Sequence, residues 1–347
     1  HEVQGGSVIK PLIGIKHNMP SDASVTRPVL DSPKGLAFSQ SLLPWYSKID
    51  AFHMMTCTID EAVRRLISVG GNFDHIGGLD NFCWPNIQYD SVKNPDGNFK
   101  AAQLVRACRA LKEACEKYEI PLLSGKDSMY VDGHLEGEFG ERIKVSALET
   151  VQFSATSVID DITRCTTMEP KIGGDLVYVV GATASELGAS EFYDAFGKTG
   201  LNVPHVHFDR FKASYRAMQQ AIEDELVASC HAVARGGLGV HLSYMVMAGG
   251  LGLDIDLSQL PQDSTRGELR NEIALFSESA GRFLVTVAPE NQDAFEKMFD
   301  GMIIGCIGCV NDTHDHLKIS GLSKEELVDL SVSELETAFN NPFGDMI

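Results

Sequence analysis

The chain has 347 residues, 44% of them apolar, with 32 glycines and a formal net charge of −19. That length accommodates two domains with separate cores, and the acidic balance excludes a general nucleic-acid binder, which needs Lys and Arg in excess. A phosphorylated small molecule is not excluded, because a local Lys, a helix N-terminus or a metal ion can receive phosphate on an acidic protein.

The opening stretch, HEVQGGSVIKPLIG, has no apolar h-region and so does not read as a signal peptide; it reads as a chain cut from something longer. No run approaches the length of a transmembrane helix, so no membrane partner is expected. Eight cysteines are scattered without disulfide-like spacing, which points to a reducing cytoplasm. Cys306 and Cys309 form a lone CxxC inside a β-like run, and zinc would need a second ligand pair that the sequence lacks.

Residues 1–30 read as extended and loop-rich, punctuated by Pro11, Pro20 and Pro28. Thr58-Ile59-Asp60-Glu61 has the capping-box pattern, which predicts a helix start near Thr58 and a stop at Gly70-Gly71. A helix over about 101–118 follows, with Leu104, Cys108, Leu111, Cys115 and Tyr118 as its inward stripe. The apolar run IPLL then reads as a strand leading into a loop, Ser124-Gly125-Lys126-Asp127-Ser128. After residue 150 the pattern restarts. A strand is expected over 175–182, a helix near 208–229, another opening at Gly236-Gly237, a strand at 282–287 and a helical ending over 323–339. Strands and helices in both parts predict two α/β or α+β units meeting near 160–172, and no repeat of 20–50 residues stands out.

Ser124–Ser128 looks like a phosphate loop without its upstream glycine. Gly125 permits close backbone approach; Lys126 can offer charge to a phosphate, Asp127 oxygen to Mg²⁺, and Ser128 a hydroxyl to a substrate. A tight turn with a solvated Lys-Asp pair is the plainer alternative. Asp80, in LDNFCWP, suits a ribose or a metal-bound water, or equally a turn cap. Glu61 is a possible metal carboxylate, but the capping pattern and Arg65 at i,i+4 both give it structural work. Gly236-Gly237 opens a helix and so offers an anion seat. His231 has no acid adjacent in sequence, which favours a core or turn histidine.

Taken together, HEVQGGSVIKPL, DEAVRRLISVGG, LDNFCWPN, LVRACRAL, SGKDSM, ELGASEFY, the GGL after VASCH, and LFSESAGRFLV resemble the second half of the synthetase region of the phosphoribosylformylglycinamidine synthase family. The resemblance runs in order from residue 1 to about 310. It implies a two-part fold of the aminoimidazole ribonucleotide (AIR) synthetase type, α/β or α+β overall. A mixed-sheet N-terminal domain would occupy 1–165 and a C-terminal α/β sandwich domain 166–347. It also implies ATP-dependent amidation of formylglycinamide ribonucleotide in purine biosynthesis: ATP phosphorylates the substrate amide oxygen, and ammonia from glutamine displaces the phosphate. ATP and Mg²⁺ are the implied cofactors. The implied partners are the N-terminal half of the synthetase, which would carry the catalytic histidine, a glutaminase domain or subunit, and a phosphorylated ribonucleotide substrate.

Residue by residue, the resemblance carries nucleotide contact to Asp80 and Gly125, with Lys126 beside them, and substrate contact to Ser128. Lys126 stands where shorter relatives have a metal-binding Asn, and Asp127 is the candidate replacement. Asp31 and Glu61 match carboxylates that bind Mg²⁺ beside a second, nucleotide-retaining site. Two departures stand out. Arg65 replaces an Asn, and the family's His-Asp-x-Ser-Asp-Gly-Gly becomes His231-Ala232-Val233-Ala234-Arg235-Gly236-Gly237. The expectation is therefore an isolated fragment without activity of its own and with a degenerate nucleotide site. The alternatives are a non-catalytic pairing module, able to homodimerise, or a free-standing relative of selenophosphate synthetase or thiamine-phosphate kinase. The last would need a Gly-rich, acid-bearing N-terminal segment that the sequence does not show.

Overall fold

The computed structural model describes residues 4–342, so the outermost residues of both expected domains, including the start of HEVQGGSVIKPL, lie outside the described residues. The chain opens with β1 (Ser7–Ile9), a small hairpin of β2 (Leu12–Ile13) and β3 (Met19–Pro20), β4 (Ser24–Thr26) and the long β5 (Gly35–Leu42). Helix α1 (Ala51–Ser68), β6 (Ile76–Cys83), helix α2 (Gly97–Tyr118) and β7 (Leu122–Ser128) follow. The hairpin β8 (Asp132–Glu136) and β9 (Arg142–Ser146) then precedes β10 (Thr150–Ile159). Six of these strands make one sheet in the order β1-β4-β5-β10-β6-β7, antiparallel except for the β6–β7 pair.

Beyond Ile159 come β11 (Leu176–Val180), α3 (Glu191–Ala195), α4 (Phe208–Glu223), β12 (Ser229–Ala232), α5 (Gly237–Gly249) and β13 (Gly252–Asp256). The chain closes with α6 (Asn271–Phe276), β14 (Phe283–Val287), α7 (Gln292–Met298), β15 (Ile304–Asn311), β16 (His316–Ser320), β17 (Glu326–Ser331) and α8 (Val332–Asn340). Seven strands form a second sheet in the order β12-β14-β11-β15-β13-β16-β17. The architecture is α+β, two mixed sheets with helices laid against them.

Several local expectations change in the structure. Helix α1 begins at Ala51, one residue after Asp50, whose carboxylate accepts the Phe52 N–H at 2.7 Å and caps the helix. Thr58 is mid-helix and donates its hydroxyl back to the Met54 carbonyl at 2.8 Å, so Thr58 and Glu61 are not a capping box. The box sits instead at Ser331 and Glu334, opening α8, where an unbroken helix over 323–339 was expected; 326–331 is strand β17, paired with β16. Helix α4 stops at Glu223, and Glu225 adopts a positive φ of 57° before β12. On α2 the inward stripe is Lys100, Gln103, Ala107, Ala110, Ala114 and Tyr118, and Cys108 is exposed. The alanines allow close approach to α1, which rotates the helix from the phase that the larger residues suggest.

Helix α1 carries the junction between the two sheets. Packed against the first sheet on one side and against α4 and β12 on the other, it buries nearly its whole length, polar residues included. At its centre Asp60 and Arg64 pair one turn apart with both side chains shielded from solvent. Asp60 also accepts the hydroxyls of Tyr118 from α2 and Tyr215 from α4, each at 2.6 Å, and Arg64 donates to the Val233 carbonyl at 2.9 Å. Burial, followed by the Asp60 carboxylate, holds both tyrosine hydroxyls well above their usual range.

Asp60→Asn leaves Arg64 buried without its counter-charge. The expected loss is about 3–5 kcal/mol of unfolding free energy, measured by urea denaturation followed by circular dichroism. A loss below about 1 kcal/mol would show that the pair carries no such weight.

Candidate functional site

Ser124–Ser128 is not a loop. It is the body of β7, an edge strand pairing in parallel with β6 across the α2 crossover: Asp80 stands opposite Gly125, Asn81 opposite Lys126, Phe82 opposite Asp127 and Cys83 opposite Ser128. Asp80 likewise lies within β6, so it does not cap a turn. Facing partners in a pleated sheet share a side. Asp80, Gly125 and Asp127 therefore lie on the helix-covered face with buried Phe82 and Phe153, whereas Lys126 and Ser128 lie on the open face and touch each other. The candidate residues are split between the two faces of one sheet edge.

On the covered face the Asp80 carboxylate sits over Gly125, where an added Cβ would come within 3.1 Å of Oδ1. Among the described residues no cation pairs with it. Burial raises its carboxyl above the usual range, its own backbone N–H offsets part of that, and the neighbouring Asp127 raises it further. The thiol of Cys115 is pushed up to about 11 by burial and then by Asp80. A buried carboxylate beside a second carboxylate costs stability unless a cation relieves it. The two carboxylates share one face of neighbouring strands.

The open face is the opposite side of the same sheet. Phe38 (44% exposed) and Leu42 (50%) on β5 lie on it, and Leu123 (66%) on β7 extends it to the edge. An exposed apolar sheet face bordered by an unpaired edge strand is a surface suited to a partner.

Asp31 and Glu61 are not brought together. Asp31 is exposed before the Gly35 end of β5, whereas Glu61 lines a cleft at the Leu42 end, a strand length of ~20–25 Å away. Glu61 is paired with Arg65 at 2.6 Å. The cleft, about 400 Å³, is lined by Gln40, Ser41, Leu42, Leu43, Glu61, Arg65 and Gln152 from the first sheet's unit and by Arg235 from the second. One engaged carboxylate beside two guanidinium groups does not fit a divalent cation. No cluster of three or more metal-ligating side chains occurs among the described residues.

The 231–237 segment is built by a buried relay that sequence reading missed. His241 Nε2 lies 2.9 Å from the Ala234 N–H and 3.1 Å from the Arg235 carbonyl, and a hydrogen bond of 2.7 Å joins His241 Nδ1 to His231 Nε2. His231 donates from Nδ1 to Asp22 Oδ2 at 2.9 Å. Asp22, 209 residues away in sequence, is the partner acid that adjacency could not reveal. Burial acts to raise the Asp22 carboxyl, but His231, Arg65 and the Ala232 N–H outweigh it and hold it low. The anion seat expected at Gly236-Gly237 is already taken: Glu278 Oε1 accepts the Gly236 N–H at 2.8 Å, and the Gly237 N–H goes to the Ala234 carbonyl.

Residues 173–316 match the family model described as AIR synthase related protein, C-terminal domain. Over its whole length the chain is 28% identical to phosphoribosylformylglycinamidine synthase subunit PurL of Methanocaldococcus jannaschii, covering 43% of that relative. It is also 28% identical, over 98% of its length, to the same subunit of Thermococcus sibiricus, covering 42% of it. The chain thus spans less than half the length of these curated relatives, and the match falls on their C-terminal part. Among solved structures, T. maritima PurL complexed with FGAR has a TM-score of 0.69 at 16% identity, over 93% of this chain and 49% of that one. AaThiL complexed with AMPPCP and TMP has a TM-score of 0.57 at 15% identity, over 86% of this chain and 87% of that one. These likenesses show an AIR synthase-like α+β fold, and the motif resemblance holds along the chain. No helix among the described residues is long and apolar enough to cross a membrane.

Asp22→Asn keeps the acceptor oxygen and removes the charge. Because the folded-state carboxyl is held low, its contribution is complete above the ordinary Asp value of about 4 and is lost as pH falls through the depressed value. The variant should be less stable by roughly 1–3 kcal/mol at pH 7, with the gap closing below about pH 4. Urea unfolding across that range checks this; a gap constant with pH would contradict it.

Proposed function

We propose that the chain is the second half of the synthetase region of an ATP-dependent carbon–nitrogen ligase of the phosphoribosylformylglycinamidine synthase type, acting in the cytoplasm on formylglycinamide ribonucleotide. The observation that carries this reading is the match of the whole chain to the C-terminal part of PurL relatives more than twice its length. The open sheet face supports it: Phe38, Leu42 and Leu123 offer a surface for the N-terminal half, which would bring the catalytic histidine, with a glutaminase supplying ammonia.

In this reading β7 forms one wall of the shared cleft. Lys126 and Ser128 lie on the face turned toward the partner half, where an ammonium and a hydroxyl suit phosphate and substrate oxygens. Asp80 and Asp127 fit Mg²⁺ and would hold it at the edge of the same strand pair. When bound, the ion supplies charge neutralisation for phosphoryl transfer. The protein's own contribution is positioning: a rigid parallel strand pair fixes the carboxylates on one face and the donors on the other.

A second reading, a non-catalytic pairing module, is favoured by the pairing of Glu61 with Arg65 and by the loss of oxygen ligands at Ala232 and Ala234. The two readings part on activity. In an assay of ATP-dependent amidation reconstituted with the N-terminal half and glutaminase, Asp80→Ala and Ser128→Ala should each lower turnover by at least about 100-fold. Asp80→Ala should leave unfolding free energy unchanged or raised, since it removes a buried charge without a counter-ion. Wild-type turnover in both variants would overturn the ligase reading in favour of the module. Phe38→Asp combined with Leu42→Asp should prevent co-elution with the N-terminal half on size-exclusion chromatography; retained co-elution would place the interface elsewhere.

A further inference from the structure

One contact between the two units is made by a pair of histidines. His53, in the first turn of α1, and His205, in the segment leading into α4, lie face to face, with ring centroids 3.8 Å apart and planes 9° from parallel. Both rings are half-buried, so protons reach them from solvent. Beside the stack, the Cys57 thiol donates to the Pro204 carbonyl at 3.2 Å, and the His205 N–H donates to Glu186 Oε1 at 3.1 Å. Segment 203–207 is thus held on α1 by a ring stack and one thiol, whereas the Asp60–Arg64 pair lies further along the helix.

Such a stack is sensitive to charge. Neutral imidazoles attract, and two charged rings at this separation repel. His53 Nδ1 is shielded and has no hydrogen-bond partner among the described residues, so a proton there finds no acceptor. Arg106 from α2 and Arg266 from the Ser264–Arg266 turn face the pair with positive charge, and His207 follows on the same segment, facing Arg210 and Asp263. Asp50 favours a charged ring, but its carboxylate already serves the Phe52 N–H and Arg106. Glu186 is likewise taken by the His205 N–H and by Arg266 at 3.3 Å. Burial, opposed by Asp50 and reinforced by Arg266 and Arg106, holds His53 below its usual range. Burial, then His53, Arg266 and His207, push His205 down to about 4.

We infer that the His53–His205 stack is an acid-sensitive latch between the two units: with both rings neutral it holds segment 203–207 on α1, and proton uptake by the parted rings opens it while the buried ion pair keeps the units joined. Linkage sets the direction. Parted rings in water regain the ordinary His value of about 6.5, so the open state binds protons that the closed stack refuses. The closed state is fully favoured above that value and loses ground as pH falls from it toward about 4. Nothing in this latch depends on the ligase reading.

Hydrogen–deuterium exchange of the 347-residue chain at about pH 7.5 and about pH 5, with exchange times scaled for the intrinsic effect of pH, reads the latch through peptides covering 203–207 and the first turn of α4. Protection there should fall at least about tenfold at the lower pH, while peptides from the centre of α1 keep theirs. His53→Phe and His205→Phe each keep an aromatic face in the stack and remove one titrating ring. Each should show a smaller fall, and the double variant should show protection that does not change with pH; far-UV circular dichroism confirms that each variant is folded. Three results would overturn the latch: undiminished wild-type protection at the lower pH, an equal loss along α1, or a fall of wild-type size in both single variants.

Discussion

Asp60 and Arg64 stand one turn apart on a helix with no access to solvent, and the arrangement of both units follows from satisfying them. A buried pair of this kind contributes little net stability over an apolar substitute, but it is costly to break. It therefore acts on specificity of arrangement. Asp60 can accept Tyr118 and Tyr215 only if α2 and α4 both lie against α1, and Arg64 reaches the Val233 carbonyl only if β12 does as well. One ion pair sets the spacing of three elements from two different units. The segment leaving β12 is thereby fixed, and with it the position from which Arg235 enters the cleft.

The cleft at the Leu42 end of β5 is framed from within and lined by charge that does not suit a cation. The turn at Gly236-Gly237 remains, capped from within by Glu278, and the His231–His241–Asp22 relay holds the loop from behind. Arg65 ties up Glu61, and Arg235 lines the same cleft from the second unit. On the far edge of the first sheet the opposite holds: Asp80 and Asp127 stand together, and among the described residues no cation pairs with Asp80. The two ends of the unit thus differ in electrostatic character, one carrying two neighbouring carboxylates and the other two guanidinium groups beside Glu61.

Much of the element order was legible from periodicity, and the family likeness from motif order, because both rest on patterns extended along the chain. The misreadings have local physical causes. Thr58-x-x-Glu61 has the residues of a capping box but lies seven residues inside α1, where Asp50 provides the cap. Ser124–Ser128 has the composition of a loop, yet the crossover through α2 delivers it in parallel beside β6 as a strand. Period-2 alternation then sends Lys126 and Ser128 to one face and Gly125 and Asp127 to the other. Asp60 and Arg64 stand at i,i+4 on one helix, a spacing the sequence does show, but their remaining partners, like those of Asp22, lie on other elements up to 210 residues away. A polar residue on an otherwise apolar helix face was the one available hint of those partners, and it cannot name them.

If the Asp60–Arg64 junction joins the two units as described, they should unfold as one body. Both tryptophans, Trp45 and Trp84, belong to the first unit, so their fluorescence reports on that unit alone, whereas far-UV circular dichroism reports on both. Equilibrium urea unfolding followed by the two signals is the most direct test. Coincident transitions with a common midpoint are the predicted result; a fluorescence transition separated from a second, later or earlier change in dichroism would show that the junction does not couple the units and would contradict the account.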